Sequence, residues 1–312
     1  MRPFILLLAA AAALAAAVPP QSDGYTAFYN LDYDLAVARF EREVEQQPAN
    51  PEAWNHLAHA LLHRRLFTSG AMSSDLIGSS NLFLRRARVE LPEAEQQRFL
   101  EAVDKSIELC EERLNRRKDD PAALYAQGVA YAHRGKYHLL VRKANFDALR
   151  DANRSRSLHN RLRQVEPDNP DALLIPGMHE YIASQLSPFV RLLAAMAGFS
   201  GNKERALKML DEAARRGNKT GVEARLLLAL VYNREKQPAR ALPLMRELSQ
   251  AFPRNYLYGS EILLLHARAG QRDQALAGLR RFESGESGAV PETHLRNLRQ
   301  AIERLLATGA RS

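Results

Sequence analysis

The feature that most constrains the fold is a repeat of thirty-four residues near the C-terminal end. Residues 222–255 and 256–289 have equal length and place apolar and small residues at matching positions. In the first unit these are Leu228, Ala229, Tyr232, Ala241, Met245 and Leu248, followed by Pro253. In the second they are Ile262, His266, Gly270, Ala275 and Leu279. Spacings of three and four are typical of amphipathic helices, so each unit is predicted to form two helices.

The same pattern extends to earlier parts of the chain. It is carried by Gly24, Ala36, Phe40 and Pro48, by Trp54, Leu57, Ala58 and Leu61, by Leu124, Gly128 and Tyr131, and by Leu173 and Gly177. Three junctions, Asn50-Pro51, Asp120-Pro121 and Asn169-Pro170, place a capping side chain before a proline suited to the first helical position. The predicted units lie near 17–50, 51–120, 121–169, 170–221, 222–255 and 256–289.

This pattern resembles the tetratricopeptide repeat over most of residues 18–290. The resemblance implies an all-α solenoid, a superhelix of stacked antiparallel helix pairs. Insertions enlarge the central repeats, among them a helix from about Pro92 to Arg117 and an unusually long helix carrying the basic segment between Tyr137 and Pro167. Residues 291–312 are predicted to form a C-terminal cap helix and tail.

The N-terminal residues predict export. Met1-Arg2 precedes an apolar run of about fifteen residues that ends in small residues, which is typical of a cleavable secretory signal peptide over 1–17. We therefore expect a periplasmic or secreted protein, with a retained N-terminal membrane anchor as the alternative. Cys110 is the only cysteine, so no intramolecular disulfide forms, and its helical spacing predicts a buried core thiol.

The resemblance also implies a partner site. In this family the first helix of each pair lines a concave groove that binds extended peptides or partner helices. Its contact positions correspond here to Tyr25, Phe28, Tyr29, Asn55, His59, His63, Tyr125, Val129, His133 and Tyr181. The function expected from this groove is a non-catalytic scaffold or assembly factor that binds a protein or peptide in the cell envelope.

Three histidines on one predicted helix raise the question of a metal site. His56, His59 and His63 fall within roughly 60° of one another on a helical wheel. His59 and His63 have the i, i+4 spacing that can hold zinc, and Glu52 is the only obvious fourth ligand on that helix. The alternatives are groove contacts and incidental surface or core positions. We expect no metal site and no cofactor.

The net charge of +8 is concentrated between Arg134 and Arg163. A basic face is predicted from Arg142, Lys143, Arg150, Arg154, Arg156, Arg161 and Arg163. In an exported chain such a face favours an anionic lipid, a cell-wall polymer or an acidic protein over nucleic acid. A solvated face of a long helix explains the same residues without any partner.

No catalytic motif is present: the sequence has no Gly-x-Ser-x-Gly, no glycine-rich phosphate loop and no His-Glu-x-x-His. An enzyme is therefore not expected. Residues 188–199 are apolar almost throughout, which predicts either burial or contact with an apolar ligand. The alternative function is accordingly a periplasmic carrier of an apolar small molecule or lipid, accessory to transport.

Overall fold

A computed structural model describes residues 18, 21–72, 88–187, 201–286, 288 and 290–309. These residues form thirteen α-helices and contain no strand. In chain order the helices are α1 Asp23–Tyr29, α2 Tyr33–Gln46, α3 Pro51–Thr68, α4 Glu93–Arg116, α5 Pro121–Tyr137, α6 Asn145–Val165, α7 Leu174–Ser184, α8 Lys203–Arg216, α9 Gly221–Arg234, α10 Pro238–Ala251, α11 Tyr256–Arg268, α12 Arg272–Glu283 and α13 Glu292–Gly309.

The expected all-α solenoid of helix pairs is confirmed. Six successive pairs, from α1/α2 to α11/α12, stack along the chain, and the second helix of each pair also contacts the first helix of the next. The central pairs are enlarged, with α4 at 24 residues and α6 at 21. The cap helix α13 covers the last pair, burying Leu298 and Ile302 against α11 and α12.

The three predicted capping residues all cap as expected: Asn50 begins α3, Asp120 begins α5, and Asn169 begins a short 3-10 helix, Pro170–Ala172, just before α7. Asn50 Oδ1 accepts a hydrogen bond from the backbone N–H of Glu52 at 3.1 Å. Asp120 Oδ1 accepts one from Ala123 at 2.9 Å, and Asn169 Oδ1 accepts one from Asp171 at 3.0 Å. Each side chain thus pairs one of the N–H groups that a helix leaves without an internal acceptor.

Glycine is required where the two helices of a pair approach most closely. A Cβ on Gly128 would lie 2.4 Å from Cε1 of His159, whose buried ring occupies that space. A Cβ on Gly24 would lie equally close to the ring of Phe40. The tight packing explains why small residues recur at these repeat positions.

The long helix expected between Tyr137 and Pro167 is present as α6, but it does not follow α5 directly. The chain leaves α5 through a π-helical turn, His138–Arg142, and then reverses at Lys143, whose φ of 57° is left-handed. Only then does α6 begin, antiparallel to α5.

The solenoid curls back so that its first pair contacts its fifth and sixth pairs. Asn255 Nδ2 donates to the Tyr29 carbonyl oxygen at 2.7 Å, and the Arg254 N–H donates to Asn30 Oδ1 at 3.0 Å. The Tyr29 ring lies 4.9 Å from that of Phe252, and Arg254 pairs with Asp32. These contacts close the inner wall formed by the first helix of each pair.

Among the helices that the structure describes, none combines the length and the apolar character needed to span a bilayer. The predicted signal peptide, residues 1–17, and the apolar segment 188–199 lie outside the described residues. Cys110 is fully buried as predicted, and burial raises the pKa of its thiol to about 12.

Candidate binding surfaces

The ten residues predicted for the concave groove do lie on the first helices of the pairs, but most are not open to a partner. Six are buried: Phe28, Tyr29, Asn55, His59, His133 and Tyr181. Four are half-buried: Tyr25, His63, Tyr125 and Val129. The side chains of this inner wall therefore contact one another more than they contact solvent.

His59 is the centre of a ring cluster that joins three helices. Its ring centroid lies 4.5 Å from Phe28 of α1, 4.3 Å from His63 of α3 and 4.8 Å from His133 of α5. Tyr25 adds a contact to His56 at 4.9 Å. Aromatic pairs at these distances stabilise a packed interior, so the cluster holds α1, α3 and α5 together.

Burial decides the charge state of these histidines. It lowers the pKa of His59 and of His133 well below the ordinary value, and it lowers that of His63 to about 3. All three rings are therefore neutral at pH 7. Repulsion from the nearby charge of Lys136 lowers the pKa of all three further.

The three histidines of α3 do not converge on one point. His56 Nδ1 lies 3.1 Å from the carboxylate of Glu43, whereas His63 Nδ1 lies 3.0 Å from the carbonyl oxygen of His59. Within the described part of the chain, no group of three or more histidine, cysteine or acidic side chains could hold a metal ion.

Two charged residues of the inner wall were missed by the sequence analysis. Lys136, at the end of α5, is exposed, and Glu223, at the start of α9, is half-buried with one oxygen accepting from the Tyr29 hydroxyl. Glu223 occupies the second position of the unit beginning at residue 222, which is one of the groove positions that the resemblance implied for the other units. Applying the same position count to that unit would have identified Glu223, whereas Lys136 lies at none of the groove positions.

A cavity lies beside Tyr125, at the N-terminal ends of α5 and α9. Lys219 stacks over the Tyr125 ring at 4.7 Å and pairs with Glu52 at 2.6 Å. Asp171 accepts hydrogen bonds from the N–H groups of Lys219 and Thr220. The cavity measures about 380 Å³, and Arg117, Asp120 and Glu166 also line it.

The predicted basic residues do not form one face. On α6, Arg150, Arg154 and Arg161 fall within roughly 40° of each other around the helix axis, while Arg156 and Arg163 lie roughly 120–140° away from Arg150. Several are paired: Arg142 and Arg150 with Asp147, Arg154 with Asp151, Arg161 with Asp119, and Arg163 with Asn160. Lys143 lies in the turn before α6 and is half-buried, as is Arg156.

An open cleft of about 700 Å³ lies between α5 and α6 on the outside of the third pair. Its apolar lining includes Phe146, which is 91% exposed, and Leu149, which is 56% exposed. Arg150 and Arg154 line the same cleft, and Arg154 lies 5.3 Å from the centroid of the Tyr131 ring. An apolar cleft edged with cations is a surface suited to binding rather than to solvation.

No protein-family model matches this chain, and no curated protein matches it. Among solved structures, yeast Tom70 is similar over 92% of this chain and 88% of that chain, at 13% sequence identity and a TM-score of 0.26. So loose a superposition supports no statement about function.

Proposed function

We propose that this chain is a non-catalytic scaffold that binds a protein partner through the α5–α6 cleft. The observation that carries the proposal is the exposure of Phe146 beside Leu149. A phenylalanine held almost entirely in water gains about 2 kcal/mol or more when a partner covers it, so two adjacent exposed apolar side chains favour association. The partner segment would therefore insert apolar side chains into this cleft.

The charged residues of the cleft indicate the charge of the partner segment. Arg150 and Arg154 stand at the cleft with exposed guanidinium groups, and their carboxylate partners, Asp147 and Asp151, belong to the same helix. A peptide with acidic residues beside its apolar ones would complement this surface, and the association would weaken as salt rises. We infer that the occupant is an acidic amphipathic segment of a partner protein.

The inner wall is the other candidate surface, and its role in partner binding stays a prediction. Six of its ten predicted contact residues are buried against each other, so a partner helix would have to displace the packing around His59. The α5–α6 cleft needs no such rearrangement. This difference favours the cleft.

The test is site-specific photocrosslinking in the native cells from Ser157, an exposed residue lining the cleft. The crosslinked peptide, identified by mass spectrometry, is expected to carry apolar residues flanked by aspartate or glutamate. Its yield should fall about tenfold or more in Phe146→Ser/Leu149→Ser, because apolar anchors dominate such interfaces. Arg150→Glu/Arg154→Glu should lower it as well.

Leu35→Ser is the matched control, because Leu35 is a similarly exposed apolar residue on the distant helix α2. It should leave the yield unchanged, and circular dichroism should show all variants folded. Recovery of a second copy of this chain, crosslinks only to lipid, no crosslinked protein, or equal yields from all variants would each contradict the proposal.

We further propose that the chain is exported and cleaved after residue 17, on the strength of the N-terminal apolar run. Expression in a bacterial host followed by intact-mass measurement is expected to show loss of the first seventeen residues. Replacing Leu7 and Leu8 with arginine should abolish cleavage, because a charged core does not enter the export machinery as a signal. An uncleaved chain that fractionates with membranes would support the anchored alternative instead.

A further inference from the structure

The side chains by which α6 lines the α5–α6 cleft follow one seam along that helix. Phe146, Arg150, Asn153 and Ser157 recur at spacings of four, three and four residues. At about 100° per residue they stay within roughly 60° of one another, and at about 1.5 Å per residue they extend over roughly 16 Å, or three turns. Alternating spacings of four and three are those by which one helix lies along another. The cleft therefore follows the axis of α6.

The backbone along this cleft offers no hydrogen bonds to a partner. Gln127 and Tyr131 line it from α5, and from Leu149 onward the α6 residues that line it also lie inside their helix. Their N–H and C=O groups are already bonded within the two helices. An extended peptide would have to cover the apolar lining with its own backbone groups unpaired, whereas a helical segment pairs those groups internally. The cleft therefore favours a helix over a strand.

Two guanidinium groups stand one turn apart on the seam. Arg150 Nη2 lies 2.9 Å from a carboxylate oxygen of Asp147, Arg154 Nη1 lies 3.6 Å from one of Asp151, and both arginine side chains are about half exposed. The Tyr131 ring, 5.3 Å from the Arg154 guanidinium carbon, supports the second arginine from below. A guanidinium has five N–H donors, so these contacts orient each group and leave donors for a partner carboxylate.

We propose that the acidic amphipathic segment bound in the cleft is an α-helix of at least about twelve residues that lies along α6. Two of its apolar residues, three or four positions apart, pack on Phe146 and Leu149. Two acidic residues, also three or four positions apart and about one turn further along, face Arg150 and Arg154. This inference rests on the proposed function, because it describes the occupant of the same cleft.

The probe is an isotopically labelled synthetic copy of the segment that crosslinks to Ser157. Its Cα chemical shifts in complex with the unmodified chain are expected to be helical over at least about twelve consecutive residues. Proline at a central, solvent-facing position of the peptide should raise the Kd about tenfold or more, because proline breaks a helix. Alanine at the same position is the control and should leave the Kd unchanged. An extended occupant would tolerate that proline.

A charge swap tests where the acidic pair lies. Arg150→Glu/Arg154→Glu should raise the Kd of the peptide about tenfold or more, and a second peptide with both facing acidic residues changed to lysine should bind this variant as tightly as the original pair. Lys208→Glu/Arg272→Glu, at exposed cations of α8 and α12, is the matched control and should change neither affinity.

The outcomes separate this inference from the proposal on which it rests. Extended chemical shifts in the complex, an unchanged Kd with proline, or failure of the lysine peptide to restore binding would overturn the helical occupant and leave the cleft as a partner site. If no partner segment crosslinks to Ser157, both the proposed function and this inference are wrong.

Discussion

Replacing Asp151 with alanine is expected to lower the free energy of unfolding by about 3–5 kcal/mol. Asp151 is fully buried, and its two oxygens accept from Arg134 Nε at 2.8 Å and Nη2 at 3.2 Å. His138 and Arg154 approach the same carboxylate at 3.5 and 3.6 Å. Removal would leave the largely buried Arg134 guanidinium with only its longer contact to the exposed Asp104, at 3.4 Å. Urea unfolding followed by circular dichroism would measure the loss.

Asp147 provides the matched control, one turn earlier on the same helix. It pairs with Arg142 at 3.5 Å and with Arg150 at 2.9 Å, and both arginines are about half exposed. Exposed pairs contribute about 0–1 kcal/mol, so Asp147→Ala should change stability little. Equal losses from the two substitutions would show that burial of the Asp151 carboxylate is not what joins α5 to α6.

Lowering the pH from 7 to 5 is expected to destabilise the fold by about 2 kcal/mol through His63 alone. Its pKa of about 3 in the folded chain lies below the ordinary value of 6.5. Between these values the unfolded chain binds a proton that the folded chain does not, so stability falls as the pH falls. His59 and His133 act in the same direction, while Glu223, whose pKa burial raises, partly opposes the loss.

Urea unfolding at a series of pH values would measure this slope. His63→Gln keeps a polar side chain of similar size but cannot titrate, so its stability should decline less steeply between pH 7 and 5. His133→Gln should flatten the slope in the same manner, given that its pKa is also lowered by burial. If both variants lost stability with falling pH as steeply as the unmodified chain does, other groups would be responsible for the acid sensitivity.

Local sequence patterns predicted the helices and their starts well. The capping residue Asn50 with Pro51, and the close packing at Gly24 and Gly128, depend on contacts within one pair, so residue spacing is enough to reveal them. The turn at Lys143 was missed because its left-handed backbone and the π-helical turn before it have no glycine or proline to mark them.

The candidate sites were harder to predict, because they depend on how the pairs curve. Spacing placed His59 and Tyr29 on the inner wall, but it could not show that the wall closes and buries them. Glu223 and Tyr29 lie 194 positions apart, and their contact follows from the curvature of the three intervening pairs. Phe146 was not singled out, because a single phenylalanine at a helix start does not reveal its own exposure.

The contact between the first pair and the loop before α11 affects the order in which the chain can fold. In an open repeat array each unit contacts only its neighbours, so folding can spread along the chain from wherever it begins. Here Tyr29 and Asn30 hydrogen-bond residues more than two hundred positions later. The first pair therefore cannot complete its contacts until the residues just before α11 have been synthesised. Because these contacts join distant parts of the chain, we expect the last step of folding to be slow.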